Sequence, residues 1–291
     1  MQPFGTYHLP RWLDRIRRLG DHTPSGWLGL KLTSGIRRAC LTFAQDPIDL
    51  VVADGVNLRL YPRSNRCEKR VFAGQHLWDA DERAVLVEAL EQHASNRPFV
   101  FLDVGANVGL YSLFLEARAR ELETDLKIVA VEPDPENRSR LEANASFSRV
   151  RDVTIEAVGI SGAAGRGTLV QSKHNRGEVK LSHELGHDLG ADSSVQVDIV
   201  TLPELIARND LTHIDAMKID IEGEDKAALA TLLADVPQHL WPSLIIAETG
   251  RHTTTDPISD LCIQHGYKLK HRFRLNVVLT YSPTTQTNPK S

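Results

Sequence analysis

Apolar positions along the chain change period twice. Near the amino terminus, Trp12, Leu13, Ile16 and Leu19 recur at helical spacing with Arg11, Arg15, Arg17 and Arg18 among them, which predicts a basic amphipathic helix. Residues 48–61 read as two short strands joined at Asp54-Gly55, a dipeptide suited to a tight hairpin turn. Residues 79–94 return to the helical period. From Phe99 the pattern becomes apolar strand, turn, helix. Strands are predicted at Phe99–Val104, Lys127–Val131, Val153–Val158, Ile214–Ile219 and Leu244–Ala247. Helices are predicted up to Leu122, over Asn137–Phe147 and over Lys226–Leu233. Near-continuous apolar strands are those covered on both faces of a parallel sheet. Residues 267–281 read as a closing pair of strands, and Thr284–Ser291 as a polar tail that frays. Residues 161–195, rich in Gly, Ser, His and Asn, read as an excursion over the edge where such sheets bind ligands.

Composition narrows the class. The chain has 291 residues, 41% hydrophobic and 25% charged, which excludes wholesale disorder and collagen-like repeats. No apolar run approaches the roughly 18 residues that span a bilayer. Met1 to about Ser25 lacks the apolar core and cleavage site of a secretory signal. Cys40, Cys67 and Cys262 are odd in number and show no metal spacing, so a reducing, cytoplasmic setting is expected.

Charge divides the chain. Residues 1–75 carry 12 Lys/Arg against 6 Asp/Glu, and residues 76–291 carry 22 against 32. The expected organisation is an N-terminal extension over 1–75 (basic helix and β-hairpin), a catalytic domain over 76–283, and a flexible tail over 284–291. Residues 11–19 could lie on an anionic membrane as a peripheral helix; the plainer reading is a docking helix with solvated arginines. Arg37-Arg38 and the run from Arg63 to Arg70 also read as solvated faces. The acidic body has no aromatic-basic interleaving, so nucleic acid is not an expected partner. The hairpin at 50–61 could pair with a second copy to give a homodimer.

The richest segment is Asp103-Val-Gly-Ala-Asn-Val-Gly109. An apolar strand delivers Asp103 to its end, and Gly105 and Gly109 let the backbone turn tightly against a ligand. A carboxylate ahead of the first glycine suits an ammonium better than a pyrophosphate. The second strand ends in Glu132-Pro133, where an acid can clamp a ribose diol. A ligand with an ammonium and a ribose is implied, and S-adenosylmethionine has both. The runner-up readings are a nicotinamide-dependent oxidoreductase, which Asp103 weighs against, and a non-catalytic adaptor on the same fold.

Together, Asp103–Gly109, Val131-Glu-Pro133 and Lys218-Ile-Asp-Ile-Glu-Gly-Glu224 resemble the FkbM family of S-adenosylmethionine-dependent methyltransferases, over roughly residues 50–250. The resemblance implies an α/β class I methyltransferase fold: a Rossmann-like, doubly wound sheet of seven strands with the last antiparallel. It implies O-methyl transfer to a hydroxyl of a sugar, glycan or natural product. It also implies that Asp103, Gly105, Ala106, Asn107 and Gly109 line the cofactor's methionine and ribose, that Glu132 and Pro133 border the ribose, and that Ala157 and Val158 border the adenine. Asp220 would face the reacting end. Asn175 and Gly177 resemble a short Asn-x-Gly feature, and Glu82 a position where the family often has Glu. Two departures stand out: the run Ala157-Val158-Gly159 where an Asp or Asn often meets the adenine amine, and Thr201-Leu-Pro-Glu204, which reads as a helix start.

Methyl transfer to an alcohol needs in-line positioning and a base for the hydroxyl proton. The candidates are Asp220, Glu222, Glu248 and His174. Each has a structural alternative: Glu222 could cap the helix near Glu224, Glu248 could satisfy backbone donors, His174 could be a solvated loop residue, and Asp103 could cap its own turn. Lys218 reads as a strand residue paired with an acid. Hard oxygen ligands could instead hold Mg²⁺, though no dedicated metal spacing is present.

Overall fold

The apolar run at Phe99 is an interior strand of a seven-stranded sheet. The computed structural model describes residues 2–94, 96–172, 175–182, 194–249 and 256–282. Helices α1 (Arg11–Leu19) and α2 (Trp27–Phe43) precede the hairpin β1 (Ile48–Ala53) and β2 (Val56–Leu60), then α3 (Arg66–Phe72) and α4 (Ala80–Glu91). Next come β3 (Phe99–Val104), α5 (Leu110–Glu121), β4 (Leu126–Val131), α6 (Pro135–Ser148) and β5 (Val153–Glu156). Strands β6 (Gly159–Ile160), β7 (Gly165–Ser172), β8 (Asn175–Ser182) and β9 (Ser194–Val200) follow. The chain closes with α7 (Leu202–Arg208), β10 (Ala216–Ile219), α8 (Asp225–Asp235), β11 (Leu244–Glu248), α9 (Pro257–Gln264), β12 (Lys268–Arg272) and β13 (Asn276–Thr280).

The large sheet runs β12-β13-β11-β10-β3-β4-β5. Strands β5, β4, β3, β10 and β11 are mutually parallel, and β13, the last, is antiparallel to both neighbours. This is the arrangement the resemblance implied. Both faces are covered, which is why β3 is apolar without alternation. Phe99 and Phe101 pack into one buried cluster, while Val100, Leu102 and Val104 pack into the other.

Residues 1–75 share the first cluster: Leu13, Cys40, Ile48, Leu58 and Phe72 pack with Phe101, Leu115 and Ile128. The hairpin is fixed to α6, since Asn57 N donates to Ser148 Oγ at 3.0 Å and Arg59 N to Asn144 Oδ1 at 2.8 Å. Helix α1 docks by a different face from the one its spacing suggested. Leu13 and Arg17 are buried, and Arg17 donates to the Phe72 carbonyl at 3.0 Å; Trp12, Ile16 and Leu19 face outward. No described helix is long and apolar enough to cross a membrane.

Within the stretch 161–195, expected as an excursion over the binding edge, the described residues 165–172 and 175–182 are strand. Strands β6 to β9 form a separate four-stranded sheet in the order β6-β9-β7-β8. Leu169, Val197 and Ile199 supply buried side chains to it, and Val195-Gln-Val-Asp-Ile199 does alternate with period two. The tail at 284–291 and His174 lie outside the described residues.

Candidate active site

Parallel pairing brings the strand ends together. Asp103 on β3 lies beside Lys218 on β10, and Val104 beside both Ile219 and Val131. Beyond Val131 and Ile219 come Glu132 and Asp220. Mostly apolar side chains fill the strands up to that edge, where the polar groups gather. A cavity of about 210 Å³ opens there, between the strand ends, α3 and the start of α5.

Gly105 makes the close approach possible. It sits at φ +79°, and a Cβ there would lie 2.0 Å from the Asp220 carbonyl oxygen. The N–H groups of Gly105 and Ala106 both donate to the Val131 carbonyl, at 3.0 and 2.9 Å. Asn107, at φ +53°, turns its own N–H to Glu132 Oε2 at 2.8 Å. Asp134 N donates to the other oxygen, Glu132 Oε1, at 2.9 Å. The Glu132 carboxyl is thus oriented by two backbone donors. Burial pushes its pKa up to about 8, with those donors pulling the other way.

Asp103 is buried and accepts from Ser112 Oγ at 2.6 Å. Burial raises its pKa, against the Ser112 hydrogen bond and the charge of Lys218. Lys218 Nζ donates to Asp220 Oδ2 at 3.0 Å. Burial alone would lower the Lys218 pKa, but Asp220 and Asp103 more than offset it and hold the ammonium charged. Burial works against an ionised Asp220, yet Lys218 and a hydrogen bond with Glu248 keep its pKa below the usual value. Its neighbour Glu248 is pushed up to about 8 by burial and by Asp220. Of this carboxyl pair, Asp220 holds the charge and Glu248 holds the proton at neutral pH.

After β10 the chain turns through Glu222 at φ +54° and Gly223 at φ +111°, so Asp220 and Glu222 both line the cavity rather than pointing to opposite sides. Asp225 ties this turn by accepting from the N–H groups of Ile221 and Gly223, both at 3.2 Å.

Ten of the residues singled out from sequence line the cavity: Asp103, Gly105, Ala106, Asn107, Glu132, Pro133, Val158, Asp220, Glu222 and Glu248. Three described ones do not. Gly109, at φ +85°, opens α5 from behind. Ala157 is exposed outside the cavity. Glu82 is buried one layer back, accepting at 2.7 Å from Asn276 Nδ2, while Asn276 itself lines the cavity.

The opposite wall includes part of the Arg63–Arg70 run, which the sequence reads only as a solvated face. Arg66, Cys67 and Arg70 on α3, then Trp78, Asp79 and Tyr111, complete the cavity. Tyr111 donates to Asp79 Oδ2 at 3.1 Å. The buried Trp78 indole N–H meets no acceptor among the described residues. Burial pushes the Cys67 thiol up to about 12, which keeps it un-ionised. No group of three His, Cys, Asp or Glu side chains able to hold a metal occurs among the described residues, so the Mg²⁺ alternative finds no donor set there.

The chain is similar to several known proteins. Over 214 residues the chain is 28% identical to the AMB antimetabolite synthetase AmbE of Pseudomonas aeruginosa, an alignment covering 60% of this chain and 10% of AmbE. The chain therefore spans about a tenth of that curated relative's length. Among solved structures, methyltransferase FkbM from Methylobacillus flagellatus aligns at TM-score 0.40 and 16% identity, over 75% of this chain and 56% of that one. The magnesium protoporphyrin IX methyltransferase of Synechocystis, solved with bound S-adenosylmethionine, aligns at TM-score 0.40 and 12% identity, over 74% of this chain and 82% of that one. The family model for the methyltransferase FkbM domain matches residues 103–269, more than half of the chain. With that match running from Asp103 through β10 and β11 on a seven-stranded sheet whose last strand is antiparallel, the chain belongs to the FkbM family of S-adenosylmethionine-dependent methyltransferases.

Proposed function

We propose that the chain transfers a methyl group from S-adenosylmethionine to a hydroxyl oxygen of a sugar, glycan or natural-product acceptor. The observation that carries this reading is the row of acids at adjacent strand ends, Asp103, Glu132 and Asp220, around one cavity. The cofactor presents an ammonium, a sulfonium and a ribose diol, and this row matches each in sign or hydrogen bonding.

Particular residues support the cofactor half of this reading. Glu132 accepts one backbone N–H on each oxygen, which fixes its plane and leaves a further lone pair on each for a vicinal diol. Gly105 and Ala106 keep the turn free of side-chain bulk. Val158, with Ile160 and Leu169, offers an apolar bed for adenine; Pro133 closes its edge. Bound there, the cofactor supplies an electrophilic methyl group. Asp220, held ionised by Lys218, stabilises positive charge beside it. Glu248 has the pKa of a useful base at mildly alkaline pH and accepts the acceptor's hydroxyl proton. Glu222 sits on the same rim as a second carboxylate. In this assignment Glu82 positions Asn276, and Gly109 shapes the turn.

Calorimetry with S-adenosylhomocysteine tests the cofactor half. The wild-type chain binds, and Asp103→Ala weakens binding by about 100-fold or more, because it removes a buried charge facing the cationic end. Absence of binding by the wild type at high micromolar ligand sinks the reading.

A further inference from the structure

The basic residues of the first 75 positions converge on one groove. Arg37 and Arg38 from α2, Arg63 from the β2–α3 connection, and Arg66, Lys69 and Arg70 from α3 line a second cavity of about 870 Å³, and no described carboxylate lines it. Two acids border this groove: Glu68, on α3 itself, and Asp46, beside Arg63. Glu68 turns inward to Arg140 Nη1 at 2.9 Å and the Tyr61 N–H at 3.1 Å, and Asp46 accepts from the Arg63 N–H at 3.1 Å. Arg63 directs its guanidinium to the Ala44 and Leu41 carbonyls, and Arg37 donates to the Lys69 carbonyl at 3.2 Å. The carbonyl contacts fix geometry without cancelling charge, while Asp46 offsets part of the charge of Arg63. Burial lowers the Arg37 pKa and the charge of Arg70 lowers it further, a repulsion that the groove retains.

The groove joins the active site. Arg66 and Arg70 line both cavities, so α3 is their common wall. Asn65, on the groove side, donates to Asn107 Oδ1 at 2.7 Å and so links the groove to the Asp103–Gly109 turn. Guanidinium forks match phosphate oxygens, and Arg37, Arg38, Lys69 and Arg70 bring four positive charges to one groove. We infer that the groove binds a phosphate or diphosphate group of the methyl acceptor, holding it so that the hydroxyl reaches the adjoining cavity. The assignment to the acceptor rests on the methyltransferase reading; the anion site itself does not.

Titration with inorganic pyrophosphate and, separately, with S-adenosylhomocysteine tests the two independently. Arg37 and Lys69 line only the groove. We expect Arg37→Glu/Lys69→Glu to weaken pyrophosphate binding by about tenfold or more while S-adenosylhomocysteine affinity stays within about twofold. A charge-matched control, Arg118→Glu/Lys268→Glu, keeps wild-type pyrophosphate affinity. Equal pyrophosphate affinity in wild type and groove variant, or an equal loss in the control, overturns the site. Loss of S-adenosylhomocysteine binding with intact pyrophosphate binding would fault the cofactor reading instead. For the acceptor, labelled methyl transfer into a cell extract should fall when the extract is first treated with phosphatase; undiminished label overturns the acceptor assignment. Label partitioning into organic solvent identifies a lipid-linked phosphate, and label staying in water identifies a soluble phosphate ester.

Discussion

Asp220 and Glu248 hydrogen-bond to each other at the ends of neighbouring parallel strands, and Lys218, 3.0 Å from Asp220 Oδ2, decides which keeps the proton. The lysine holds Asp220 ionised, so the proton resides on Glu248. As a base, Glu248 must lose that proton before it can act. The rate of methylation should therefore climb as pH rises towards about 8 and level off above it. Glu248→Gln should lower kcat about 100-fold and abolish the rising limb, with S-adenosylhomocysteine binding nearly unchanged. Asp220→Ala should reduce turnover more than binding. Retention of the rising limb in Glu248→Gln would assign the base elsewhere.

Gly105 offers a backbone test. An alanine there would have to hold φ +79° with its Cβ 2.0 Å from the Asp220 carbonyl oxygen, so β3 and β10 would be forced apart at their ends. Gly105→Ala should cost more than the roughly 1–3 kcal/mol of left-handed strain and abolish cofactor binding. Gly35, inside α2, has open space where an alanine methyl would stand and no left-handed φ. Gly35→Ala should instead gain about 0.5–1 kcal/mol. Thermal melts of the two variants decide it; similar losses in both would remove the special role of Gly105.

Glu132 links cofactor binding to protons. Its pKa is near 4.5 in the unfolded chain and about 8 in the fold, so between those values the native state holds the extra proton. Its contribution to stability is therefore greatest at low pH and declines as pH rises from 4.5 to 8. Ribose hydroxyls donating to it favour the ionised form, so S-adenosylhomocysteine binding at about pH 7 should release protons. Calorimetry in buffers of different ionisation enthalpy measures that release. Glu132→Gln should reduce it and flatten the pH dependence of the melting temperature; unchanged release in the variant would place the proton on another group.

The parts of this site that were legible in the sequence are those a strand end dictates. Asp103, Glu132 and Asp220 each follow an apolar run, and pairing in register is enough to bring them to one edge. The wall opposite was hidden because nothing local marks it. Arg66 and Arg70 look like any solvated basic run until α3 is set between two cavities, and that placement depends on the long-range contact of Glu68 with Arg140. No local spacing marks Tyr111, whose hydroxyl donates to Asp79 across the cavity wall. On α1 the periodicity located the helix but misjudged its buried side, since Arg17 pairs with Asp14 and Asp21 and so enters the interior in place of Trp12 and Ile16. Glu82 was marked as a cofactor residue, but a side chain from the far end of the chain, Asn276, comes between it and the cavity. No spacing within the sequence encodes that.

The Glu68–Arg140 pair that seats α3 is open to the same kind of test. Burial pushes Glu68 up to about 7, even though Arg140 pulls against it. Below that pH Glu68 can take a proton and remain buried at little cost; above it, the ionised form relies on Arg140. Because the folded pKa lies above the unfolded one, this carboxyl's contribution to stability falls as pH rises through that interval, and removing Arg140 extends the fall to higher pH. Arg140→Met should therefore destabilise the protein by about 3 kcal/mol or more at about pH 9 and by clearly less at about pH 6. Since α3 carries Arg66, Lys69 and Arg70, the variant should also lose pyrophosphate affinity at the higher pH before it unfolds. Melting curves at the two pH values, with pyrophosphate titrations alongside, provide the measurement. A loss of stability independent of pH would mean that Arg140 acts through its ion pair with Glu136 or its packing over the Tyr61 ring, 3.9 Å from the ring centre, rather than through Glu68.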